Sequence, residues 1–345
     1  MKSTRGRILR LIVLVVCVAW LVWIVASLGP RRVWEVARQA DAVLLAVSFI
    51  PIFGRFLIWA VKWTLMMRRR SSIPLRHVIP ALLSGNFVNL TTPTAKLAGG
   101  FVRAALIRRH TGWGMAVAYG WSFADQFTNV FGNLTLCGAL SIAAGLSAAG
   151  GGSRVSFLAS GAAALAVVVM VVSARGWTWT QVQKPAVARF MARFTPERFR
   201  EMGEATWIRP VLEPLLHVGK TIRVAPQDLG LAALSFGSLC LANALVLQAL
   251  GVDAPLFSVA VAVVVGYFAG TVIGTLGGIG VTEVALIKLY GMAGVSAEAA
   301  TAGALLHRAS YYAVIVVAGG LSLLVEGIRK RDLQAEIDRR TAQSG

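Results

Sequence analysis

Apolar runs long enough to cross a bilayer alternate with short, base-rich polar joints along most of the chain. A ~30 Å hydrocarbon core takes about 20 helical residues, and the runs over 11–28, 42–67, 113–146, 155–174, 229–250 and 299–325 come close to or exceed that length. Two further apolar stretches are interrupted. Residues 80–109 carry Thr91, Thr92, Pro93, Thr94, Lys96, Gly99 and Gly100 near their middle, and residues 256–292 carry Gly274, Gly277, Gly278 and Gly280. Loosened backbone survives at membrane depth only where protein or a wet cavity shields it, so each interrupted stretch predicts a re-entrant helical hairpin beside a cavity. The expected fold is an all-α polytopic membrane protein with about six full transmembrane helices plus two re-entrant broken-helix hairpins.

Polar positions sharpen this picture. Within 113–146, Ser122, Asp125, Gln126, Asn129 and Asn133 recur at spacings of three and four, which lays one polar stripe along a helix face. Arg55 falls near the middle of the second run and must face protein or water, while Lys62 lies near enough to the inner end to snorkel. Between about 175 and 226, Val187, Phe190, Met191 and Phe194 share a helical face beside Arg189 and Arg193, predicting an amphipathic helix on an anionic leaflet; a plain connector fits the same pattern.

A composition of 57% hydrophobic and 14% charged residues over 345 positions excludes an ordinary soluble domain. One integral membrane domain over 1–326 is expected, followed by a solvated helical tail at 327–345. The formal charge of +19 raises nucleic acid as a partner, but the basic residues collect between the apolar spans, as the positive-inside rule requires. Lys2, Arg5, Arg7 and Arg10 put the N-terminus in the cytoplasm; Arg329, Lys330 and Arg331 put the C-terminus there too. A cleaved signal peptide is the alternative for the first run, which exceeds a usual h-region and offers a poor cleavage site at Ala26-Ser27-Leu28. Cys17, Cys137 and Cys240 all sit in apolar runs, which points to packing thiols rather than a disulfide framework or metal site. No cofactor is expected.

An internal repeat relates the halves at about 42–146 and 229–325. RAALIR (103–108) answers EVALIK (283–288) at an offset of 180, and Ser84-Gly85-Asn86-Phe87 answers Val265-Gly266-Tyr267-Phe268 at 181. The first hairpin lies between Arg76 and Arg108-Arg109, the second between Asp253 and Glu298, so the second is expected to dip in from the opposite side. Paired broken helices in inverted halves point to a transporter with a midplane site. The repeat places Arg103 against Glu283, and Asp125-Gln126 against His307-Arg308. Isolated charges this deep are costly, so Arg308 is expected to pair with Asp125, Glu283 or both, as transport machinery or as structural glue. A helix restart after Gly99-Gly100 points N–H groups toward Lys96 and Arg103, a cradle for a lipid phosphate. Asp125, Glu283 and His307 are the candidates to carry protons, because their charge state responds to burial.

At these residues the chain resembles the lysylphosphatidylglycerol synthase transmembrane-region family, also called flippase-like membrane proteins. The first signature is met by Asn89, Pro93, Gly99, Gly100 and Arg103, and the second by Gly277, Gly278, Gly280 and Glu283, with Arg308 where a late helix of the family carries arginine. Leu276, Phe101 and Asp125-Gln126 depart from the pattern. The resemblance implies a protein of the bacterial inner membrane that moves lipids between leaflets. Its site would comprise Asn89, Pro93, Lys96, Gly99, Gly100, Arg103, Gly277, Gly278 and Gly280 around the headgroup, with Arg55, Asp125, Glu283, His307 and Arg308 as buried charges. Anionic or phosphate-bearing lipids would be the partners, with lipid-synthesis enzymes as possible neighbours. Two other classes stay open: a membrane-embedded transferase acting on a lipid-linked sugar, for which only Glu35, Asp41, Asp253 and Glu298 face outward, and a scaffold of a lipid-synthesis complex.

Overall fold

The structure is a computed structural model that describes residues 30–92, 97–147, 224–273 and 278–327, with short pieces between 158 and 169. The runs at 11–28 and most of 155–174, nearly all of the connector, the tail, and Pro93, Lys96, Gly274 and Gly277 lie outside the described residues. Within them the chain is helical, with no strand. Three helices are long and apolar enough to cross a membrane: α2 (Ala42–Arg68), α6 (Pro226–Ala249) and the continuous rod Ala297–Val325. A short α1 (Pro30–Arg38), absent from the sequence expectation, precedes α2.

α2 and α6 form the central antiparallel pair. Asp41 starts α2 by accepting from the Val43 and Leu44 amides at 2.7 and 3.0 Å, which satisfies donors that the first turn leaves open. Pro226 starts α6, and Asp228 in its first turn accepts from the Ala225 amide at 2.8 Å. At one end of the pair the Asp41 amide donates to the Ala249 carbonyl at 2.7 Å. At the other, Arg69 forks onto both Asp228 oxygens at 2.7 and 2.8 Å. Ile52, Trp63, Met66, Leu82, Leu239 and Leu286 fill the buried core around them.

Both interrupted stretches are helical hairpins. In the first, α3 (Leu75–Thr91) packs antiparallel on α4 (Leu97–Thr111). Their approach demands glycine. A Cβ on Gly99 would overlap the Gly85 carbonyl and the Asn89 side chain, and one on Gly85 would sit 2.7 Å from the Gly99 carbonyl oxygen. In the second, α7 (Leu256–Ile273) packs on α8 (Val281–Met292) through Gly270, where a Cβ would overlap the Thr282 hydroxyl. The break between them needs left-handed backbone, with φ of 79° at Gly278 and 84° at Gly280.

The hairpins open at opposite ends of the α2–α6 pair. α3 follows α2 directly at the Arg69 end, where Arg109 also donates to the Glu326 carbonyl at 2.6 Å. α7 follows α6 through a short turn at the Asp41 end. His77 and His110 stack at 3.7 Å where the first hairpin opens, and partial burial, then His77, holds His110 below the ordinary histidine value. α5 (Met115–Ser147) runs beside α6 and both hairpins. α9 (Ala297–Val314) passes through a π turn at Ile315–Gly319 into α10 (Gly320–Val325), and the turn packs on Leu83 and Phe87 of α3.

Candidate functional site

The polar stripe of α5 faces inward and gathers charge. Asp125 is fully buried; one carboxylate oxygen lies 2.9 Å from the Lys62 ammonium, and the other accepts from Arg103 at 3.0 Å and from the Trp59 indole at 2.8 Å. Lys62 also donates to Thr128 and Asn129, both at 2.7 Å. Lys62 therefore does not snorkel. The stripe on α5 offers it a carboxylate and three neutral oxygens, and a compact ammonium with that many acceptors can stay buried.

On the second hairpin Glu283 does two jobs. One oxygen accepts from the Gly280 amide at 2.7 Å and caps α8; the other accepts from Arg308 Nε at 2.7 Å. Arg308 reaches on to the Tyr312 hydroxyl, one turn along α9, and its guanidinium lies over the Tyr312 and Tyr267 rings at 4.4 and 5.2 Å. Of the two partners expected for Arg308, it meets Glu283, while Asp125 is met by Lys62 and Arg103. His307 points away to Asn243 at 3.0 Å, and Asn243 in turn accepts from Tyr290 at 2.9 Å.

A cavity of about 250 Å³ opens between the two hairpins. Arg55, Asn89, Arg103, Gly278 and Arg308 reach its wall, as do Gln126, Asn129 and Asn133 of the α5 stripe. Asp125 and Glu283 stand behind the wall, each holding one of the arginines that line it. Gly99 and Gly100 serve elsewhere. The Gly99 amide, expected to point at a ligand, donates instead to the Asn89 side chain at 2.9 Å, and Gly100 faces Tyr119.

Arg55 is different from the other two arginines. Only 6% exposed, it lies over Phe236, Trp59 and Tyr311 at 4.6, 5.6 and 5.8 Å, and its Nε and Nη1 have no hydrogen-bond partner among the described residues. Sequence reasoning missed this aromatic shell. Trp59 was accessible, four residues beyond Arg55 on the same helix face, as was Tyr312 four beyond Arg308. Phe236 and Tyr311 arrive from other helices and leave no local signal.

A bundle of apolar helices that buries charge on two opposed helical hairpins, around a cavity they share, defines a helical membrane protein with an internal polar site. The profile of the family described as "Lysylphosphatidylglycerol synthase TM region" matches residues 7–319, and the chain belongs to that family. Two curated relatives are UPF0104 membrane proteins. One, from Methanothermobacter thermautotrophicus, is 27% identical over 121 residues, covering 35% of this chain and 36% of the relative. The other, PH1989 from Pyrococcus horikoshii, is 22% identical over 316 residues, covering 86% of this chain and 91% of the relative.

Proposed function

We propose that this protein is a lipid translocator, which takes a phosphate-bearing headgroup into the cavity between its hairpins while the apolar chains stay in the bilayer. The observation that carries the reading is the cavity itself: both hairpins wall it, and Arg55, Arg103 and Arg308 face it. Asn89, Arg103 and Gly278 contribute to the headgroup site, with Arg55, Asp125, Glu283 and Arg308 as its charges.

The architecture proposed around the site has about six full transmembrane helices and two re-entrant hairpins related as an inverted repeat, in a cell membrane with both termini cytoplasmic. Charge placement supports the repeat. In the first half the hairpin carries the cation and the next helix the acid, Arg103 to Asp125; in the second the signs exchange, Glu283 to Arg308. The repeat-related Gly85 and Gly266 each face the opposite arm of their hairpin. At 12 residues, about 18 Å by the helical rise, α8 is short for a ~30 Å core, which favours a segment that turns back. A transferase reading is disfavoured because Asp125 and Glu283, the carboxylates nearest the cavity, are both held by cations and neither is offered as a base.

The test is leaflet exchange of a labelled phosphatidyl lipid in liposomes holding the purified full chain. Wild type is expected to move it, and Glu283→Gln and Arg308→Ala to slow exchange by about tenfold or more, as loss of one buried charge-assisted contact entails. Wild-type liposomes that exchange no phosphate-bearing lipid faster than protein-free ones remove the reading.

A further inference from the structure

Every other buried cation of the cavity region has a carboxylate. Lys62 and Arg103 share Asp125, and Arg308 holds Glu283. Among the described residues Arg55 forms no ion pair, although it is as buried as the rest and sits in the cavity wall. Its aromatic neighbours hold the face of the guanidinium but supply no acceptor in its plane, so Nε and Nη1 remain unsatisfied. A buried charge with two open donors is costly unless an acceptor arrives. The fork geometry of those donors suits an oxyanion that accepts two bonds side by side.

We infer that Arg55 is the anchor of an anion site in this cavity, and that the anion is a doubly charged phosphate, as a phosphomonoester or a diphosphate. The charge comes from the balance around it. Arg55, Lys62, Arg103 and Arg308 are set against Asp125 and Glu283, and Asp228, the other buried carboxylate among the described residues, is taken by Arg69, which leaves two positive charges over around the cavity. A dianion cancels that surplus; a cationic or zwitterionic headgroup does not. The cavity also has an apolar way out. Leu90, Val130, Phe268 and Ile315 line it, and Phe127 stands both in its wall and 47% exposed on the surface, so a chain attached to the phosphate can leave toward lipid. The assignment rests on the translocator reading of the same cavity and moves its anionic contact from the first hairpin, where Arg103 already binds Asp125 and Asn89 takes the Gly99 amide, to α2.

The experiment titrates the full chain in phosphatidylcholine nanodiscs with inorganic phosphate or short-chain phosphatidic acid, reading bound ligand by native mass spectrometry and the shift in Tm. Wild type, Arg55→Lys and Arg55→Met are compared. Phosphatidic acid is expected to raise the wild-type Tm, and Arg55→Met to bind about tenfold to a hundredfold more weakly, with Arg55→Lys between them. Inorganic phosphate binding as well as phosphatidic acid keeps the site and makes a free phosphate its source. Folded Arg55→Met with wild-type affinity overturns it. If that variant gives no unfolding transition, wild type decides: no rise in Tm above phosphatidylcholine alone overturns the site. The two readings fail separately. Unchanged binding in Arg55→Met, with leaflet exchange that depends on Arg308, sinks the anchor and spares the translocator. Arg55-dependent binding in a wild type that moves no lipid keeps the anchor and sinks the translocator.

Discussion

A carboxylate and a guanidinium that bury each other exchange hydration for a single geometry, and removing either partner leaves a charge with nothing to answer it. Glu283 and Arg308 are that kind of pair, 2.7 Å apart and each no more than 4% exposed at the side chain. Glu283→Gln should therefore cost about 3–5 kcal/mol, the usual penalty of an orphaned buried charge. The double variant Glu283→Gln with Arg308→Met should recover much of that loss, because replacing both ions with neutral groups is often close to neutral. Thermal unfolding in detergent measures the stability side and leaflet exchange the other. A double variant that regains stability but not exchange separates a transport role from structural glue; one that regains both makes the pair glue alone. The charges themselves were readable in the sequence, since an acid or arginine inside an apolar run has few innocent explanations. Their partners were less so. Arg308 was narrowed to two acids and found one of them, but Lys62 was assigned to the membrane edge because a linear pattern cannot show that the α5 stripe turns four oxygens toward it.

At the scale of elements, glycine and proline punctuation carried the reading. Where the described residues cover them, the long apolar runs are helices with ends within a few residues of those expected, as with 42–67 against Ala42–Arg68 and 229–250 against Pro226–Ala249. Both interruptions fall between helices that pack on each other, α3 on α4 and α7 on α8. What punctuation could not show was which glycines loosen the chain and which let two arms touch. Gly99 belongs to the second kind, because its hydrogen faces the Gly85 carbonyl and the Asn89 side chain. A methyl group there meets the Gly85 backbone carbonyl, which cannot swing aside as a side chain can, so Gly99→Ala should destabilise the protein by about 1–3 kcal/mol through overpacking. It should also break the bond from the Gly99 amide to Asn89. Gly54, with nothing near its missing Cβ, is the matched control, and Gly54→Ala should leave Tm almost unchanged. Equal Tm values for the two variants would mean that the α3–α4 contact has room for a methyl group. The π turn at Ile315–Gly319 was not legible at all; it arises where α9 must bend past α3, and Gly319 is the residue that meets Leu83 and Phe87.

For the whole molecule, the decisive relation is between the two hairpin mouths and the bundle's ends. The Arg69–Asp228 contact and the Arg109–Glu326 contact gather at one end, and the Asp41–Ala249 contact marks the other. Charge alone had placed the first end in the cytoplasm, by the concentration of arginines at Arg68–Arg70, Arg76, Arg108 and Arg109. The turn at Gly294, which follows α8, carries no base from Val295 to Glu298 and belongs at the opposite end. Labelling tests this directly in sealed vesicles of one orientation, using a cysteine at Gly112 beyond the first hairpin or at Gly294 beyond the second, in a background without Cys17, Cys137 and Cys240. A membrane-impermeant maleimide should reach Gly112→Cys only from the cytoplasmic side and Gly294→Cys only from the other. Both glycines have positive φ, 67° and 86°, so each variant also needs its Tm checked against wild type. Opposite accessibility is what a cavity closed in turn from each side requires, because a hairpin then guards each approach. If both cysteines react from the same face, the hairpins share a side, and the exchange of sign between Arg103–Asp125 and Glu283–Arg308 loses its explanation as an inversion through the membrane plane.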